Sequence, residues 1–165
     1  MDNDLQTSRP PQEFPVPLQT GDGADAALRI LLVDDHEDVL MMLGLVMKRR
    51  SYRVATANTA HQALAVMESF APHVVVSDIT LPEMDGCEMM TTLRAMDQLT
   101  PFRSIALTGH DFSQEQDRLR DAGYDAHLTK PVDFDVLFGL IDQLAGTVKE
   151  VDLQQEPMTE ARPNQ

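Results

Sequence analysis

The sequence predicts an α/β fold, a doubly wound five-stranded parallel sheet with helices on both faces. Three observations lead there. Five short apolar segments alternate with five stretches of helical periodicity, and the connections are short. The middle segment, VVVS at residues 74–77, is apolar without the alternation of a half-solvated strand, which marks a strand covered on both sides. The polar exceptions gather where the apolar segments end, and in a parallel sheet those ends share one edge.

The elements follow in order. Residues 1–27 hold Pro10, Pro11, Pro15 and Pro17 with little apolar periodicity, and read as a disordered leader. LRILLV at residues 28–33 is the first strand and stops at Asp34 and Asp35. Val39, Met42, Leu43 and Val46 then recur at helical spacing, and Lys48, Arg49 and Arg50 stand in the last turn, where cations suit the helix dipole. Residues 52–57 form a second strand. Thr59 with Gln62 has the capping-box pattern, Ala60, Ala63, Leu64 and Met67 give the second helix its stripe, and Pro72 ends that helix. The central strand ends at Asp78, and Pro82 with Asp85-Gly86 marks a loop.

Met89, Leu93 and Met96 mark the third helix, and residues 104–107 the fourth strand, which ends in Thr108-Gly109. Ser113 with Gln116 opens a fourth helix of few apolar residues, chiefly Leu119 and Ala122, and Gly123 closes it. Residues 126–129 are the fifth strand, ending at Lys130-Pro131. Phe134, Leu137, Leu140, Ile141 and Leu144 define the last helix, and from Gly146 the pattern dissolves into a polar, acidic tail, residues 146–165. One domain over residues 28–145 is expected, with no second core after it.

Composition narrows the function. No apolar run approaches the roughly 20 residues of a membrane span, and the N-terminus lacks the order of a signal peptide. Cys87 is the only cysteine, so disulfides are not part of the design. A cytoplasmic protein is expected. The net charge is −14, and residues 28–145 carry −8 of it, since the leader has five acids against Arg9 and the tail four against Lys149 and Arg162. Such a chain is unsuited to nucleic-acid phosphates and suited to cations and basic partners.

The strand ends bring Asp34, Asp35, Asp78, Thr108 and Lys130 to one edge. Like charges at 4 Å repel by roughly 4 kcal/mol at an effective dielectric of 20. A divalent cation relieves that, and carboxylate oxygens suit Mg²⁺. A carboxylate nucleophile, a metal, an ammonium and a hydroxyl together fit phosphoryl transfer through an aspartyl-phosphate.

Four pieces in order, ILLVDD (residues 30–35), SDITLPEMDG (77–86), ALTG (106–109) and HLTKP (127–131), make residues 28–145 resemble the receiver domain of two-component response regulators. The resemblance implies a flavodoxin-like sheet of order 2-1-3-4-5. It implies that Asp78 is the phospho-acceptor and that Asp34 and Asp35 are the metal acids, Asp35 the more direct Mg²⁺ ligand, with Thr80 completing the site through its carbonyl. Thr108 is then the hydroxyl that reports the phosphoryl group, Lys130 its counter-charge, and Pro131 the proline after a cis bond. The phosphoryl donor is a sensor histidine kinase or a histidine phosphotransfer protein. The downstream partner binds the fourth helix, fifth strand and last helix. His127 stands where the family usually has an aromatic switch. His36, His61, His73 and His110 read as surface or loop residues. The run around HLTKP resembles receivers at the C-termini of hybrid kinases.

Such a domain catalyses its own phosphorylation and dephosphorylation and is no enzyme otherwise. Two other readings are a phosphorylation-independent interaction module and an aspartate-nucleophile phosphatase. The intact acid pair and lysine argue against the first. Asp78-Ile79-Thr80 in place of Asp-x-Asp argues against the second.

Overall fold

The computed structural model describes residues 27–109 and 115–154. Residues 1–26 of the expected leader, His110, Ser113 and the tail from residue 155 lie outside the described residues. The order is β1 (Arg29–Val33), α1 (Glu37–Arg49), β2 (Arg53–Ala57), α2 (Ala60–Phe70), β3 (Val74–Asp78), α3 (Gly86–Arg94), β4 (Arg103–Thr108), α4 (Gln116–Ala122), β5 (Ala126–Thr129) and α5 (Phe134–Gln154). The sheet runs β2-β1-β3-β4-β5, and every pairing is parallel. This is the expected order.

The strand period of two divides the core. Leu31, Val33, Val75 and Ala106 pack with Ala60, Ala63 and Met67 of α2, Met89, Met90 and Leu93 of α3, and Leu119 of α4. Ile30, Leu32, Val74, Val76, Ile105 and Leu107 pack with Leu40, Leu43 and Met47 of α1 and Leu137, Phe138 and Ile141 of α5. A fully buried side chain of this size contributes about 1.5–3 kcal/mol. All five residues of β3 are buried, so Asp78 is carried on the best-supported strand of the sheet.

Three expectations change. In α1 the expected Leu43, Val39 and Val46 do pack on the core, the last two partly buried, but the buried stripe is Leu40, Leu43 and Met47, and Met42 is 49% exposed beside exposed Met41 and Leu45. Nearly every position from 39 to 47 is apolar, so periodicity alone left two stripes one residue apart. Met96 lies beyond the end of α3 and packs from the following turn. Glu115 precedes the described α4 with no side-chain cap hydrogen bond, and the expected opening at Ser113 lies outside the described residues. Finally, α5 runs on through Gly146 to Gln154. A single helical glycine costs only about 1 kcal/mol relative to alanine, and no proline follows before residue 157.

The caps have local causes. Thr59 Oγ1 accepts from the Gln62 N–H at 3.1 Å, and Gln62 Oε1 accepts from the Asn58 N–H at 3.0 Å, one residue short of a full box. Ala71 ends α2 in the left-handed region, just before Pro72.

Both tyrosines of the chain, Tyr52 and Tyr124, are held neutral by the fold. Burial, then the hydrogen bond its hydroxyl donates to Asp142 at 2.6 Å, pushes Tyr52 up to about 12. Burial pushes Tyr124 up as well. Unfolded phenols ionise near pH ~10. The neutral form is the one favoured on folding, so this stabilisation is present below pH ~10 and is lost as pH rises toward about 12. Tyrosinate absorbance of the native protein is therefore expected to lag that of the denatured chain. Superposed native and denatured titrations would count against both environments.

Candidate functional site

The C-terminal edge of the sheet assembles the expected residues. Asp34 follows β1 and is 1% exposed; Asp78 ends β3 and is 5% exposed. Lys130 follows β5, and its Nζ donates to Asp78 Oδ2 at 2.9 Å and to Asp34 Oδ2 at 3.5 Å. Its backbone N–H donates to the Thr108 carbonyl at 2.8 Å, and the Lys130-Pro131 peptide is cis. Partial burial would lower the Lys130 pKa, but the hydrogen bond and charge of Asp78, with Asp34 behind it, outweigh that and hold it above the ordinary lysine value. The ammonium is thus a fixed positive charge against two buried carboxylates.

Thr80 sits two residues past Asp78 and donates its N–H to Asp78 Oδ1 at 3.1 Å. Each Asp78 oxygen therefore has a donor, which fixes the carboxylate. The Thr108 side chain is fully buried and donates to the Leu128 carbonyl at 3.4 Å, a long contact on the β5 side. His127 is exposed on β5, and its Cα pairs with Ala106. It lines a groove of about 290 Å³ with Gln116, Leu119 and Arg120 of α4. The structure thus brings Asp34, Asp35, Asp78, Thr80, Thr108 and Lys130 to one edge and places His127 on an adjoining surface.

His36 was read as a surface or loop residue, and its side chain is indeed 67% exposed, but the structure also sets its ring against the acids of the site. Its Nδ1 lies 3.0 Å from both Asp34 Oδ1 and Asp35 Oδ1. Its N–H donates to Asp34 Oδ1 at 2.9 Å. The hydrogen bond to Asp34, then the charges of Asp35 and Asp34, hold the imidazole above its ordinary pKa. One donor atom from each of Asp34, Asp35, His36 and Asp78 lies within 4.8 Å of the others. Three carboxylates so placed fit a hard divalent cation, because its charge offsets their repulsion and its preferred ligands are oxygens.

The floor of the site is a close approach of backbone. Asp85 caps α3 in a full capping box with Glu88. Burial would raise the Asp85 pKa, but the Glu88 N–H and Arg118 of α4 more than offset it and hold the carboxyl low. Gly86 follows, and its N–H donates to the Ile79 carbonyl at 2.9 Å. Tyr124 Oη donates to the Gly86 carbonyl at 2.9 Å and lies 2.7 Å from Ser77 Oγ, which reaches the Asp78 carbonyl at 3.1 Å. With one proton on each hydroxyl, two of these three contacts are hydrogen bonds at any moment, and together they tie the loop after Asp78 to the α4–β5 turn.

Residues 30–142 match the family described as the response regulator receiver domain. The chain belongs to that family. Among curated relatives, the receiver is 33% identical over 118 residues to an uncharacterised 14.6 kDa protein of Leptolyngbya boryana, covering 72% of this chain and 90% of that one. It is 32% identical over 124 residues to the sensor histidine kinase RcsC of Salmonella typhimurium, covering 75% of this chain but 13% of the kinase. Among solved structures it is similar to the receiver domain of the sensor histidine kinase PA1611 from Pseudomonas aeruginosa, described with a magnesium ion coordinated in its active-site cleft. That likeness has 25% identity and a TM-score of 0.67, and covers 73% of this chain and 99% of the other. Among the described residues of the receiver, no helix is long and apolar enough to cross a membrane.

Proposed function

We propose that this receiver takes a phosphoryl group from a phosphohistidine onto Asp78, with Mg²⁺ held by Asp34, Asp35, Asp78 and the Thr80 carbonyl. The donor is a sensor histidine kinase or a histidine phosphotransfer protein, met in the cytosol. The observation that carries this reading is the buried Asp78 carboxylate, held by Lys130 Nζ at 2.9 Å beside a second buried acid. An Asp78 oxygen forms the new P–O bond as the P–N bond to the donor imidazole breaks, and that imidazole takes up the electron pair. Bound Mg²⁺ would supply positive charge to the transferring oxygens. Lys130 supplies the fixed ammonium beside them. The Thr80 N–H holds the attacking carboxylate in one orientation.

The aspartyl phosphate carries about −1.5 to −2 charge and three acceptor oxygens in place of the single carboxylate charge of Asp78, so the anion grows and reaches further from β3. The long bond from Thr108 to the Leu128 carbonyl is weak, so the hydroxyl is readily recruited to the phosphoryl group. That movement loosens the β4–β5 edge near His127, and the downstream partner binds α4, β5 and α5, with His127 in the place of the aromatic switch. Beyond its own phosphorylation and dephosphorylation the domain catalyses nothing.

Incubation with acetyl phosphate and Mg²⁺ is expected to give one acid-labile phosphoryl adduct, read by intact-mass spectrometry, and none without a divalent ion. Labelling that ignores removal of the ion would sink the metal part of the reading. Mg²⁺ at 100 times its dissociation constant should stabilise the fold by about 2.7 kcal/mol. Asp35→Ala is expected to lose more of that gain than Asp34→Ala, because the Asp34 carboxylate is already engaged by Lys130 and the His36 N–H.

A further inference from the structure

We propose that His36 is a nitrogen ligand of the metal site and shifts its preference from Mg²⁺ toward borderline first-row ions such as Co²⁺ and Zn²⁺. This rests on the metal site proposed above and goes beyond it in assigning a fourth protein ligand and a selectivity.

The geometry supports it. The 3.0 Å spacings from His36 Nδ1 to Asp34 Oδ1 and to Asp35 Oδ1 gather the nitrogen and both carboxylates round one space; Nδ1–H faces the carboxylates, and an ion bound between them would take the place of that proton. Two ligands bound at about 2.1 Å on adjacent octahedral vertices lie about 3.0 Å apart. A spacing of hydrogen-bond length therefore also suits two neighbouring ligands of one ion. The ring is carried on an anchored backbone. His36 is the N-cap of α1, its carbonyl accepts from the N–H groups of Val39 and Leu40, and its own N–H is held by Asp34.

The chemistry sets the sign. Mg²⁺ takes oxygen ligands and keeps its waters, so the imidazole competes with it for the Asp34 and Asp35 oxygens. Imidazole is a good donor to Co²⁺ and Zn²⁺. One residue thus opposes the first ion and supports the other two. Substitution of His36 is a clean probe, because its side chain makes no capping hydrogen bond to α1.

The test is calorimetric titration of the full chain with Mg²⁺ and, separately, Co²⁺ at one fixed pH, for the unaltered protein, His36→Ala, His36→Gln and Asp35→Ala. Both His36 variants are expected to bind Co²⁺ at least about tenfold more weakly, a loss of about 1.4 kcal/mol, while Mg²⁺ affinity stays level or rises. With Zn²⁺ in the unaltered protein, the ¹⁵N resonance of His36 Nδ1 should move as a metal-bound nitrogen does. Equal losses for both ions, an unchanged ratio, or a stationary Nδ1 resonance with Zn²⁺ bound overturns the ligand role of His36 and leaves the acid site standing. Absence of binding of either ion to the unaltered protein, or binding undiminished in Asp35→Ala, overturns the metal site together with this proposal.

Discussion

Asp78→Asn is expected to reduce phosphoryl labelling by acetyl phosphate to background, a loss of roughly a thousandfold or more of the kind that follows removal of a covalent nucleophile. The amide has nearly the shape of the carboxylate, and the four residues before it on β3 are buried, so the fold is retained. What goes is the anion. Lys130 then keeps Asp34 at 3.5 Å as its charged partner and loses the shorter contact of 2.9 Å. Intact-mass spectrometry after incubation decides the matter. Full labelling of Asp78→Asn would move the acceptor to another residue and remove the main functional claim.

Gly86→Ala is expected to be the most damaging conservative change in the loop. A Cβ there would meet the Asp78 carbonyl oxygen at 2.6 Å, Ile79 Cα at 2.7 Å and Tyr124 Oη at 2.9 Å. The first two are backbone and cannot rotate away. Alanine at this first residue of α3 gains up to about 1 kcal/mol of helix propensity, against about 1–3 kcal/mol or more for overpacking. The clash wins, and the loop that carries Asp78 and Thr80 shifts. Thermal unfolding should show a clear loss of stability, with labelling reduced as well. Gly109→Ala is the control, because a Cβ there meets nothing within 4 Å. Equal melting of the two variants would show that the close approach at Gly86 is not maintained in solution.

The sheet and the acidic edge were legible because each rests on short-range pattern. An unbroken apolar run means a strand covered on both faces, and a parallel sheet puts strand ends on one edge, so Asp34, Asp78 and Lys130 could be grouped from their order alone. His36 could not. Nothing about a histidine after two acids says whether its ring turns to solvent or back onto them, and that choice depends on the backbone turn into α1. The capping box of Asp85 and Glu88 was readable in principle, but Asp85-Gly86 reads as a turn as readily as a helix start. The Ser77–Tyr124–Gly86 contacts join residues 47 and 38 apart in sequence and leave no local trace. The inward face of α1 was ambiguous because too many of its residues are apolar, and the end of α5 because one glycine is a weak stop.

The sheet order has a consequence for how the site comes apart. The two buried acids stand on β1 and β3, each flanked by a strand on both sides. Lys130 follows β5, which lies at the sheet's edge, pairs with β4 and alternates half-buried with exposed positions. Local opening free energies fall from core strands toward edges, and amide exchange reads them directly. The anionic half of the site therefore belongs to the slowest-exchanging unit and the cationic half to a faster one. Peeling of β5 withdraws the ammonium while Asp34 and Asp78 stay in place, so the charge balance around the acceptor is governed by an edge strand of the sheet.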